Sequence, residues 1–92
     1  MTDPLKRTKL EPIGTRDAHA IGLGVVKLEM YSHATETLGN EIRSMRVSAG
    51  IGLREAAKRA GLSALELSEI QMGAVRFEDP EAAVAFLLER WR

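Results

Sequence analysis

Residues 38–73 read LGNEIRSMRVSAGIGLREAAKRAGLSALELSEIQMG, and the reading of this stretch decides the fold. Two short helical patterns lie inside it, Leu53–Ala60 and Ala64–Met72, separated by Gly61, Leu62 and Ser63. So short a connection makes two helices cross steeply, as in a helix-turn-helix. Ala56, Ala57 and Ala60 keep the first helix thin enough for close packing, while Leu67 and Ile70 give the second an inward face. Ser63 is placed to cap the second helix, and Glu66, three residues on, to reach back in a capping box. Gly61 suits the left-handed conformation that ends the first.

Working outward, residues 38–48 place Leu38, Ile42 and Met45 on one face of a preceding helix, with Thr35 or Thr37 as its cap. Gly50 and Gly52 permit a tight bend before the next element. On the other side, residues 73–78 read as a loop. Asp79 and Pro80 then open a last helix, a capping acid followed by proline at the first helical position. Ala82, Ala83, Phe86, Leu87 and Trp91 are its expected inward face, and Arg90 and Arg92 favour the negative end of its dipole.

The segment resembles the helix-turn-helix domain of the phage Cro/CI repressor (XRE) family. The residues carrying the resemblance are Leu38, Gly39, Ile42, Met45, Arg46, Gly50, Ile51, Leu53, Ala56, Ala57, Ala60, Gly61, Leu62, Ser63, Leu67, Ser68, Ile70 and Gly73. It spans residues 38–88 and does not reach the first 37. It implies an all-α, four-helix repressor-like domain over 38–92, with 1–37 as an N-terminal extension. It also implies a small sequence-specific transcriptional regulator, of the kind phages, prophages and antitoxin operons encode, bound to duplex DNA as a homodimer.

Carried across residue by residue, the resemblance points Ser63, Ala64, Leu65, Ser68 and Glu69 at base edges from the second helix of the motif. The backbone at Leu53 and Arg54 would face phosphate at a helix start, with Lys58 beside it and Arg43 and Arg76 flanking. Two departures stand out. Base reading favours Arg, Lys, Asn and Gln, and none of the base-facing positions holds one. Glu66 and Glu69 also have no basic partner on their own helix. In the resembled family, the arginine at Arg46 usually pairs with a glutamate where Gln71 stands, so a neutral hydrogen bond is expected here. Leu65 suggests the alternative reading, a scaffold redirected to a protein partner through an acidic-apolar helix face.

The extension is less regular. Residues 1–12, with Lys6, Arg7 and Lys9 between two prolines, read as an extended basic arm. Ile21, Val25 and Leu28 continue in helical steps towards Thr35 and Leu38, which favours a helix over about 18–32 and a dimerisation seam. Gly22 and Gly24 each oppose that by about 1 kcal/mol, and Ile21, Leu23 and Val25 also alternate as a strand would.

Composition bounds the rest. Ninety-two residues, 45% hydrophobic and 28% charged, make one small domain with an arm. No apolar run approaches the ~20 residues that cross a bilayer. Residues 1–10 lack the apolar core of a signal peptide. The absence of cysteine excludes disulfides and thiolate metal sites. A cytoplasmic protein is expected. The net charge is zero but unevenly spread: residues 38–61 carry five basic and two acidic side chains, and residues 62–92 three and six. His19 and His33 have no ligand cluster around them, Asp17 and His19 have no identifiable nucleophile, and Lys27 stands where a dinucleotide loop needs its third glycine. Neither an enzyme nor a cofactor or metal is expected.

Overall fold

The structure, a computed structural model, describes residues 3–92. The first two residues of the expected arm lie outside the described residues. In chain order the elements are β1 (Arg7–Lys9), β2 (Gly14–Ala20), β3 (Gly24–Met30), α1 (His33–Ser48), α2 (Leu53–Ala60), α3 (Ala64–Met72), β4 (Val75–Phe77) and α4 (Pro80–Arg90).

The fold is therefore mixed rather than all-α: two small antiparallel sheets accompany the helices. The expected helix over 18–32 is a hairpin instead. β2 pairs with β3 in a register that sets Ala18 opposite Val26 and Asp17 opposite Lys27. Gly22 and Gly24, at φ 78° and 72°, turn the chain between the strands. Side chains strain that conformation and glycine does not. The glycines that weakened the helical reading are thus the turn itself.

The expected arm is also structured. β1 pairs with β4 through Arg7–Phe77, Thr8–Arg76 and Lys9–Val75, which puts a strand inside the stretch read as a loop over 73–78. Bonds from the Leu10 amide to the Ala74 carbonyl (2.8 Å) and from the Glu78 amide to the Lys6 carbonyl (3.0 Å) extend the ladder at both ends. Val75 and Phe77 turn inward and join Leu5 in the core.

α1 begins earlier than expected, because Ser32 caps it: the Thr35 amide donates to the Ser32 hydroxyl at 3.3 Å. α2 and α3 keep the expected bounds. Gly61 ends α2 in the left-handed region, and the Ser63–Glu66 capping box opens α3 with both hydrogen bonds made. α1 crosses α3 closely at Gly39, where a Cβ would stand 2.5 Å from the Gln71 carbonyl oxygen. Ile42, Leu67, Ile70 and Leu87 fill the centre, packed against the alanine face of α2. Asp79 caps α4 through the Ala82 amide. At the far end of α4, buried Trp91 donates its indole N–H to the Ala56 carbonyl at 3.0 Å, locking α4 onto α2.

Candidate nucleic-acid interface

α3 packs against α2 and is joined to the ribbon of β1 and β4 by ion pairs. α2 begins at Leu53 with Gly52 at its cap position and no side chain bonded to the freed amides. Leu53 is half-buried, so its contribution to this end is its backbone. Arg54 and Lys58 lie four apart on the outward face of α2 and are exposed. Their neighbours Glu55 and Arg59 pair with each other at 3.2 Å and take neither of them.

The distribution of ion pairs is selective. Among the described residues Lys6, Arg7, Lys9, Lys27, Arg59 and Arg92 each hold a carboxylate. Arg90 lies over the Phe86 ring, and Arg46 binds Gln71 and the Ile51 carbonyl. Arg43, Arg54, Lys58 and Arg76 make no such bond and are exposed, as is Arg16, which lies on the hairpin strand β2. Arg43 stands one turn before Arg46 on α1, and Arg76 is opposite Thr8 on the outer face of the β1–β4 ribbon.

On α3 the acids are not free. Arg7 Nη2 meets Glu66 Oε2 at 2.7 Å, and Lys9 Nζ meets Glu69 Oε2 at 2.7 Å. Hydrogen bonds from the Ser63 backbone and hydroxyl, then the charge of Arg7, hold the Glu66 carboxyl below its ordinary pKa. The Glu69 hydrogen bond and charge hold the Lys9 ammonium above its own. Both effects stabilise the charged pairs. The basic partners missing from α3 itself come from β1, more than fifty residues away, and short strands of this kind leave little periodic signal.

Of the base-facing candidates, Ser63, Ala64, Leu65 and Ser68 lie at the start and outer side of α3, and Leu65 is 69% exposed. Glu69 is turned to the ribbon, its side chain only 19% exposed in the pair with Lys9. Met72 continues the exposed side of α3 towards its end. Arg46 and Gln71 are joined as expected, Nε to Oε1 at 2.8 Å. No group of three or more metal-ligating side chains occurs among the described residues, and no helix is long and apolar enough to cross a membrane. Comparison with family models, with curated proteins and with solved structures finds no match to this chain.

Proposed function

We propose that the chain is a small cytoplasmic regulator that binds duplex DNA through a helix-turn-helix formed by α2 and α3. In this reading α3 lies in the major groove, the open start of α2 meets a phosphate, and Arg54, Lys58, Arg43 and Arg76 neutralise phosphates around it. The observation that carries the reading is the selective pairing of charge. These four cations have no carboxylate partner among the described residues, while both acids on α3 are held by β1. Ser63 and Ser68 then make single hydrogen bonds to base edges, and Ala64 and Leu65 touch thymine methyls. With no bidentate side chain at the head of α3, discrimination between sequences is shallow and affinity rests on phosphate.

The test is duplex binding by fluorescence anisotropy at stepped salt concentrations. A plot of log K against log salt is expected to fall with a slope near −0.9 per neutralised phosphate, about −3 to −4 for four contacts. Arg54→Ala and Lys58→Ala are each expected to reduce that slope by about one. Absence of binding at low salt, or binding indifferent to salt, overturns the proposal.

A second reading rests on the exposure of Leu65 and Met72 along one side of α3, which suits an apolar contact with another protein. Under it, Leu65→Asp abolishes retention of that partner, and the chain shows no salt-dependent affinity for DNA.

A further inference from the structure

The hairpin of β2 and β3 takes no part in the proposed interface. Among the described residues its approach to the helices is confined to its base. Near its base, Arg16 and Leu28 line a shallow hollow with Gln71 and Met72. Both of its outer edges lack a neighbouring strand among the described residues. A lone two-stranded hairpin is marginal in water, and this one leaves Ile21, Leu23, Val25 and Leu28 exposed.

Its two edges differ. β2 carries Arg16, Asp17 and His19 in seven residues, the charge density with which edge strands resist pairing. β3 reads GVVKLEM, four apolar side chains with one lysine and one glutamate two positions apart. The strands β2 and β3 together hold Arg16, Asp17, Lys27 and Glu29, an even balance that neither repels a second copy nor favours an acidic or basic partner.

We infer that β3 is a self-association edge. Two copies pair their β3 strands antiparallel about a two-fold axis at Leu28, joining two hairpins into one four-stranded sheet. Antiparallel pairing about an axis at Leu28 sets Leu28 against Leu28, Val26 against Met30 of the second copy, and Lys27 against its Glu29. By symmetry the last two pairs form twice. Shifting the axis to Lys27 would oppose two lysines, which costs stability. Lys27 already meets Asp17 across the hairpin, but an ammonium has three donors. Glu29 accepts from the Tyr31 hydroxyl through Oε2 at 2.8 Å, and its second oxygen is available to the other copy. This inference does not depend on DNA binding, and its test contains no DNA.

Sedimentation equilibrium on the full chain is expected to show a monomer–dimer equilibrium. Lys27→Glu alone places two pairs of glutamates in opposition, and Glu29→Lys alone two pairs of lysines, so each variant is expected to sediment as a monomer. An equimolar mixture restores both oppositely charged pairs and is expected to recover the dimer. Both side chains are exposed, so the helical circular dichroism of each variant should match that of the wild type. A wild-type chain that stays monomeric at every concentration overturns the inference. So does either variant that dimerises like the wild type, or a mixture that stays monomeric.

Discussion

Arg7 Nη2 donates to Glu66 Oε2 at 2.7 Å, joining two residues fifty-nine positions apart. Through this contact and its neighbour, Lys9 to Glu69 at 2.7 Å, the N-terminal strand masks the acids of α3. If α3 enters a DNA groove, Arg7 and Lys9 act on binding without being phosphate contacts themselves. The double variant Arg7→Ala, Lys9→Ala is expected to weaken duplex binding several-fold at low salt and far less at high salt, where the exposed carboxylates are screened. Thermal stability should fall only modestly, because each pair has one largely buried member but keeps the other in contact with solvent, which screens the attraction. Anisotropy and a melting curve on the same samples check both halves. Unchanged low-salt affinity would show that the masking has no role in binding.

Gly39 on α1 faces the backbone of α3. A methyl group there would lie 2.5 Å from the Gln71 carbonyl oxygen and 2.7 Å from that of Ile70. Alanine improves helix propensity by about 1 kcal/mol, but overpacking a tight contact costs about 1–3 kcal/mol. The obstructing atoms are main chain and cannot rotate away. Gly39→Ala is therefore expected to be destabilising, with a lowered urea midpoint and an unchanged m-value. A raised midpoint would mean that α1 and α3 separate at no cost.

The parts of the fold legible in the sequence are those specified locally. Ser63 and Glu66, three apart, announce their own capping box, and Asp79 before Pro80 announces α4, so both appear where expected. Arg46 and Gln71 were paired through the family resemblance, and they meet. The strands were obscured for two physical reasons. In the hairpin, Ile21, Val25 and Leu28 satisfy helical spacing while Ile21, Leu23 and Val25 satisfy strand spacing, and what decides is which residue lies opposite Val26. That partner is Ala18, and nothing in residues 24–30 names it. β1 and β4 are three residues each, too short to show a period. They exist because Val75 and Phe77 bury their side chains in the core. The site followed the same division: the cations of α2 were readable one by one, whereas the compensation of Glu66 and Glu69 depended on a strand invisible until paired.

Tyr31 lies at the base of the hairpin, buried, with its hydroxyl donating to Glu29 Oε2 at 2.8 Å. That hydrogen bond, then burial, then the negative charge of Glu29, raise the phenol from 10.0 to about 12. A raised pKa means that the folded state favours the neutral phenol. Its contribution to stability is therefore complete below pH 10 and is lost as pH rises from there towards about 12. Ultraviolet titration is expected to show late ionisation of this single tyrosine. Glu29→Gln is expected to bring it back towards the ordinary value while leaving the effect of burial. A tyrosine that ionises near 10 in the folded wild type would mean that the hairpin base is open to water.

Gln71→Glu tests the joint between α1 and α3. Arg46 donates through Nε to Gln71 Oε1 at 2.8 Å and through Nη1 to the Ile51 carbonyl at 2.9 Å, so one side chain ties α1 both to α3 and to the connection before α2. Replacing the amide with a carboxylate keeps the geometry and turns a singly charged hydrogen bond into an ion pair. Bonds involving a charge contribute about 1.5–3 kcal/mol. Since Arg46 is already charged and the site is only half-buried, the further gain should be about 1 kcal/mol or less. The variant is expected to raise the urea midpoint at neutral pH and to lose that advantage as pH falls through the new carboxyl's depressed pKa. It also adds a negative charge to α3 that no strand residue answers. If α3 lies against phosphate, the more stable protein should bind duplex DNA less tightly at low salt. Equal loss of stability and of binding would instead mean that the amide of Gln71 makes a contact a carboxylate cannot replace.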